Sequence, residues 1–275
     1  MNFGRVKPTF IISGVQKGAT SALHSYLIQH PQLVAPKTKE LHYFDNLTLA
    51  PENSYHQNFP RLFFSNKISF ESTPRYLYYP NCAQRIAQYN PKMKFIVLLR
   101  NPVKRAYSAW NMYRQMIKEE SKISYFKKLE RDNPAERLYS ILYKSNEFPS
   151  FKECIDMEMD SAFMTKNIEP SILRRGYYTK QIESYLEYFG RDQFLFINSY
   201  ELKKNTIQVL NRISEFLRIK DFNNLDLNLE PRHERAYIEP ISEIYYSFLL
   251  SHYQEQNKGL EALVDMSIEW MKPIN

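Results

Sequence analysis

The chain has 275 residues, 43% hydrophobic and 15% aromatic, which suits one sizeable α/β domain with a packed core and excludes a disordered chain. Its formal net charge of +7 favours anionic ligands, but the basic residues are dispersed and build no Arg- or Lys-rich tail, so nucleic acid is not expected as a partner. Two cysteines, Cys82 and Cys154, without C-x-x-C spacing argue against a disulfide framework. With no apolar run of membrane-spanning length and no signal-peptide core, the expectation is a cytoplasmic protein with no membrane span.

In chain order, residues 9–13 (TFIIS) read as a short buried strand and 20–30 as a helix ended by Pro31. A second strand is predicted at 67–72 (KISFES), then a helix over 80–89 with Pro80 near its start. Residues 94–100 (KFIVLLR) make the clearest buried strand, five apolar residues between charges, and 102–119 a helix with proline in its first turn. The charged stretch 120–170 is expected to form short helices and loops that cover one side. Residues 177–189 read as an amphipathic helix closed by Gly190, 193–199 as a strand and 205–219 as a helix. A polar, basic loop at 230–237 (EPRHERAY) precedes a last helical segment over 240–270.

Strands alternating with helices predict βαβ units. The expected fold is α/β and P-loop-like, three layers with a mostly parallel central sheet flanked by helices, as a single domain over 1–275. Ligands in such sheets bind beyond the carboxyl ends of the strands. Two strand-to-helix junctions therefore matter most, 14–21 and 100–108.

In the first junction, GVQKGATS, the amides of 17–21 point forward at a helix start, where unpaired N–H groups and the helix dipole favour an anion. Gly18 allows close approach of the backbone to a phosphate, Thr20 and Ser21 supply hydroxyls, and Lys17 a mobile cation. The nucleotide loop G-x-x-x-x-G-K-[ST] differs: here Gly14 to Gly18 is one residue short and Ala19 follows the second glycine. Taken alone, the loop is equally a simple turn with a solvated lysine. The second junction, LLRNPVKRAYSAW, puts Arg100 at a strand end, Ser108 about two turns into a helix and Arg105 between them. An arginine fork with a serine hydroxyl fits a phosphate; the plain alternative is a structural arginine and a helix-surface serine. Two anion-ready junctions in one sheet suggest a ligand with two separated phosphate-type groups.

On these segments the chain resembles the sulfotransferases that use 3′-phosphoadenosine 5′-phosphosulfate (PAPS), in particular the branch related to heparan-sulfate sulfotransferases and their bacterial relatives. GVQKGATSAL is similar to that family's 5′-phosphosulfate loop and LLRNPVKRAYSAW to its 3′-phosphate segment, with R-x-P and R-x-x-S spacing kept. KELHYFDN, FESTPRYLYYP and RGYYTKQIESYLEYFGRDQFLFINSYELKKN are similar to three further family segments, in order, so the matches span roughly 14–205.

The resemblance implies sulfuryl transfer from PAPS, leaving 3′-phosphoadenosine 5′-phosphate (PAP), to a hydroxyl or amino group of a saccharide or small natural product, in a bacterial cytoplasm and with no metal. It implies that Lys17 stabilises the departing phosphate while Gly18, Ala19, Thr20 and Ser21 hold the 5′-phosphosulfate. Arg100 and Ser108 would bind the 3′-phosphate, with Arg105 assisting. Tyr178, Arg232 and His233 fall near the adenosine end. Glu40 matches the family's catalytic base, with His42 as the competing base; an extended 40–44 would put Glu40, His42 and Phe44 on one face. The chain departs from the glycan branch at Ser72, where that branch carries lysine. Two other readings stay open at this point: a P-loop kinase or NTPase, and a non-catalytic binder of anionic glycans.

Overall fold

Five parallel strands share one sheet in the order β2-β3-β1-β4-β5: β1 (Pro8–Gly14), β2 (Leu33–Val34), β3 (Ile68–Ser72), β4 (Lys94–Leu99) and β5 (Phe194–Asn198). The computed structural model describes residues 7–61, 66–145, 147–230 and 240–272. Its helices are α1 (Thr20–Leu27), α2 (Glu52–His56), α3 (Cys82–Tyr89), α4 (Pro102–Gln115), α5 (Glu120–Asp132), α6 (Leu138–Leu142) and α7 (Phe151–Met159). They continue as α8 (Ser161–Lys166), α9 (Tyr178–Leu186), α10 (Ser199–Lys204), α11 (Thr206–Leu217), α12 (Glu243–Gln256) and α13 (Leu260–Val264). The α/β, mostly parallel architecture expected from the alternation is the one observed. The chain divides into two compact units, Met1–Arg100 with Gln181–Glu234 and Asn101–Lys180 with Arg235–Asn275.

The first unit holds the sheet. Strand side chains alternate, and both faces are covered, which is why these strands read as near-continuous apolar runs. On one face Phe10, Ile12, Phe70, Ile96, Leu98 and Ile197 pack with Leu23 and Leu27 of α1 and with Val209, Leu210 and Ile213 of α11. On the other, Phe95 stacks on Phe194 at 4.9 Å and meets Tyr185 and Phe189 at 5.2 and 4.7 Å. Each such side chain contributes about 1.5–3 kcal/mol by leaving water. The chain leaves β1 for the β2 edge and leaves β4 for the β5 edge, so the neighbours β1 and β4 flank the point where strand order reverses. In open α/β sheets that point is where ligands bind.

The second unit is helical. Its first helix, α4, starts with Pro102 at the first turn and with the Asn101 side chain accepting from the Lys104 amide at 3.1 Å. Val103, Ala106, Trp110 and Tyr113 of α4 share a core with Leu142, Ile155, Ile172, Leu249 and Tyr253. Within 120–170 lie α5 to α8 and their loops. A capping box opens α7: the Ser150 hydroxyl accepts from the Glu153 amide while Glu153 accepts from Ser150.

Several boundaries differ from the sequence expectation. The helix predicted to 119 ends at Gln115 and tightens into a 3-10 turn over Met116–Lys118. The helix predicted to close on Gly190 stops at Leu186; Gly190 has φ −67 and donates its amide to Gln193 Oε1 at 2.9 Å, opening a separate 3-10 turn. The last segment is two helices, α12 and α13, separated by Gly259 at φ 81. The two-residue β2 and the short α2 carry too little periodicity to be seen in sequence. Arg232 and His233 lie outside the described residues. Among the described residues no helix is long and apolar enough to cross a membrane.

Candidate active site

The loop after β1 is tied to the sheet beneath it. The Val15 amide donates to the Leu98 carbonyl at 3.0 Å, and the Gly18 amide donates back to the Val15 carbonyl at 2.9 Å. Lys17 and Ala19, either side of Gly18, are both left-handed, with φ 68 and 71. Such alternation turns successive N–H groups toward one concavity, a backbone nest suited to an anion. Each left-handed L-residue costs about 1–2 kcal/mol, and strain of this kind concentrates at ligand clamps. Then α1 starts at Thr20 with Ala19 as N-cap, no side-chain cap and no acidic residue in its first turn. Its positive end is thus uncompensated by a side-chain cap or a first-turn acid, which suits an anion.

Gly18 earns its place differently from the expectation. A Cβ there would stand 2.8 Å from the carbonyl oxygens of both Leu98 and Val15. The residue is small because it wedges against the sheet.

Arg100 follows β4, is half-buried, and donates from Nη1 to the Lys17 carbonyl at 2.7 Å. The second junction therefore braces the first and sets a guanidinium beside the nest. Thr20 is buried and Ser21 half-buried at the opening of α1.

Arg105, Ser108 and Tyr178 belong to the second unit. Arg105 is fully buried; Nη2 donates to the Ile172 carbonyl, while Nε and Nη1 have no hydrogen-bond partner among the described residues. Ser108 lies one turn further along the same helix and is buried. Tyr178 is buried as well: its amide donates to Asn257 Oδ1 at 2.7 Å and its ring meets Trp270 edge-on at 5.9 Å.

The acidic segment lies at the carboxyl end of β3, where the Glu40 amide donates to the Ser72 carbonyl at 3.1 Å. It is not extended. Glu40 and His42 are left-handed, φ 62 and 52, so the expected shared face with Phe44 does not form: Phe44 turns into the core while Glu40 stays exposed. Glu40 contacts the Lys39 ammonium, and its Oε2 lies 3.8 Å from His42 Nε2. The other ring nitrogen, Nδ1, is 2.8 Å from Asp45 Oδ2, which is 3.6 Å from Arg75. Burial pushes the Asp45 carboxyl up, but the hydrogen bond and charge of His42 and the charge of Arg75 outweigh it and leave Asp45 below its ordinary value. Carboxylate, imidazole and buried carboxylate thus form one line. Asp45 was missed in the sequence, although its i+3 spacing from His42 was the available signal.

Behind this line sits a buried acid. Glu71 accepts from Thr73 Oγ1 at 2.6 Å, from Tyr76 Oη at 2.8 Å and from the Tyr55 hydroxyl. The Tyr76 oxygen in turn accepts the Tyr43 amide at 2.8 Å, which holds the loop bearing His42 and Asp45. Burial pushes the Glu71 carboxyl up, partly offset by these hydroxyls. His24 of α1 was also missed: its Nδ1 is 2.8 Å from Ser72 Oγ. Burial, with the Lys39 charge adding and Glu40 opposing, lowers its pKa to about 4. Among the described residues no group of three or more His, Cys, Asp or Glu side chains is placed to hold a metal ion.

Comparison with known proteins bears on this arrangement. A crystal structure of a sulfotransferase from Alicyclobacillus acidocaldarius is 26% identical, with a TM-score of 0.73 over 97% of this chain and 100% of that one. The membrane-associated sulfotransferase kil1 of Dictyostelium discoideum is 23% identical over 96% of this chain and 66% of its own length. Human heparan sulfate glucosamine 3-O-sulfotransferase 6 is 28% identical over 78% of this chain and 53% of its own length. The chain therefore spans about two thirds or less of these curated relatives. The profile of the sulfotransferase domain matches residues 7–243, from β1 through the nest, the Glu40 segment and both junctions to the start of α12, and the chain belongs to that family.

Proposed function

We propose that the chain transfers a sulfuryl group from PAPS to a hydroxyl or amino group of a saccharide or small natural product by in-line displacement. The observation that carries this reading is the strained nest at Lys17–Ala19, opening on an uncapped helix and braced by Arg100. Backbone donors, a helix N-terminus and two cations after the neighbouring strands β1 and β4 fit an anionic, phosphate-bearing group. PAPS, when bound, supplies the activated sulfuryl group and a phosphate leaving group.

The chain's own residues then divide the work. Lys17 and the amides of Ala19, Thr20 and Ser21 would neutralise the charge that gathers on the departing phosphate, while Gly18, its own amide held by the Val15 carbonyl, shapes the loop that presents them. Arg100 binds the 3′-phosphate, with Ser108 and Arg105 assigned to the same group on the sequence segment. Glu40 accepts the acceptor's proton as the new bond to sulfur forms, and His42, oriented by Asp45, steadies it. Tyr178, Arg232 and His233 are assigned to the adenosine end by the resemblance; the Tyr178 ring is buried and serves packing in its own unit. A magnesium-nucleotide loop would place lysine at the helix start, whereas α1 opens Thr20-Ser21-Ala22-Leu23. The proposed location is the cytoplasm of a bacterium, in keeping with two free, buried thiols, Cys82 and Cys154.

The test is transfer of radiolabelled sulfate from PAPS across a panel of amino sugars, neutral saccharides and small alcohols, paired with thermal unfolding in PAP and in adenosine monophosphate. PAP at 100 times its Kd should add about 2.7 kcal/mol, and the monophosphate much less. Equal stabilisation by both, with no labelled product, refutes the reading.

A further inference from the structure

His24 is placed where neither the nest nor the Glu40 line explains it. It lies on α1, one turn after the helix start that closes the nest, and its ring is fixed on two sides. Ser72 Oγ engages Nδ1 at 2.8 Å, and the Phe70 ring lies against it at 5.3 Å between centroids. Its Nε2 has no hydrogen-bond partner among the described residues and is not sealed from solvent. The charged groups acting on the ring are Lys39 and Glu40.

Ser72 does two things at once. Its carbonyl accepts the Glu40 amide at 3.1 Å, and its hydroxyl engages His24. One residue at the end of β3 thus holds both the backbone of the residue assigned as base and an imidazole from the donor-side helix. A ring nitrogen held by one partner while the other faces outward is the arrangement by which proteins present a histidine to a ligand.

We infer that His24 is an acceptor-positioning residue, whose Nε2 hydrogen-bonds a hydroxyl or amine of a saccharide acceptor beside Glu40, with Ser72 holding the ring in register. The inference rests on the sulfotransferase reading. Because its pKa is lowered to about 4, the ring is neutral at pH 7, so it orients the acceptor by a hydrogen bond rather than by charge.

The experiment uses the full chain, labelled PAPS and glucosamine, which carries hydroxyls and an amine. Three variants are compared: His24→Leu, which keeps bulk without nitrogen; His24→Gln, which keeps a polar group; and Ser72→Ala, which releases the ring. PAP-induced thermal stabilisation is measured first. Its absence in the wild type defeats the sulfotransferase reading itself, whereas its retention in all variants shows the donor site intact. The acceptor KM should rise about tenfold in His24→Leu, the loss of one hydrogen bond, with kcat within about threefold. His24→Gln should recover part of that rise and Ser72→Ala should fall between. An unchanged KM in His24→Leu overturns the inference. Should turnover on glucosamine be immeasurable, ring-nitrogen NMR of the PAP-bound wild type decides. Glucosamine should shift the His24 Nε2 signal, and a signal that stays in place at saturating sugar overturns the inference equally.

Discussion

Replacing Arg100 by alanine separates its two roles. The guanidinium donates a 2.7 Å hydrogen bond to the Lys17 carbonyl from a half-buried position. A charge-assisted bond with that exposure contributes about 1 kcal/mol, so the variant should melt roughly 2–4 °C lower. In the complex the same side chain is assigned to the 3′-phosphate, where its loss should cost about 1.5–3 kcal/mol, a roughly 10- to 150-fold rise in the Kd for PAP. Adenosine monophosphate lacks that phosphate and should feel only the loosened loop, about 1 kcal/mol or roughly fivefold. Titration calorimetry with both nucleotides measures the two numbers in the same variant. The preference for PAP should therefore shrink by about twofold to thirtyfold. If both nucleotides weaken by the same factor, Arg100 is a brace only and the phosphate assignment fails.

Other perturbations bear on the acid side and on the scaffold. Glu40→Gln should abolish labelled-sulfate transfer by about two orders of magnitude or more while leaving PAP affinity within about twofold; comparable turnover would remove Glu40 as base. Tyr76→Phe leaves the Tyr43 amide and a Glu71 oxygen short of a buried partner, so urea unfolding should show a loss of about 1–3 kcal/mol with transfer reduced through the loop that carries His42. The His24 imidazole binds its proton near 6.5 when unfolded and near 4 when folded, so protons favour the unfolded chain in between. Stability from this group is complete above 6.5 and drains away as pH falls through 4. Between pH 7 and 4 the wild type should lose about 2–3 kcal/mol more than His24→Leu in urea midpoints, and parallel curves would contradict the assigned burial.

Much of the fold was legible because both sheet faces are covered. Residues 94–100 announce a doubly buried strand by an uninterrupted apolar run, and the observed β4 matches it within one residue. Thr20 as the helix start and the strand-end position of Arg100 were likewise visible in local pattern. What escaped depends on contacts across distant sequence. The His24–Ser72 hydrogen bond joins residues 48 apart, and nothing in the apolar spacing of α1 marks its single histidine. Gly18 was read as a ligand-side glycine since sequence shows the absence of a side chain but not the direction in which it is needed; the Leu98 carbonyl supplies that direction. Gly190 was read as a cap from residue type alone, yet the Gln193 side chain gives its amide a partner without a left-handed turn. The bend at 40–42 was hidden for a related reason, because Glu40 and His42 adopt backbone angles that L-residues rarely take and local preference cannot foresee.

The wedge at Gly18 has a consequence for how this enzyme class is altered over time. The proposed donor cradle is keyed into the carbonyls of Val15 and Leu98, so its shape follows strand geometry. The acceptor flank hangs instead on side-chain anchors, the Tyr76 hydroxyl and Ser72, beneath a surface loop whose tip at 46–50 is exposed. Under the proposed function, substitutions at that tip should change acceptor preference and leave PAP affinity unchanged.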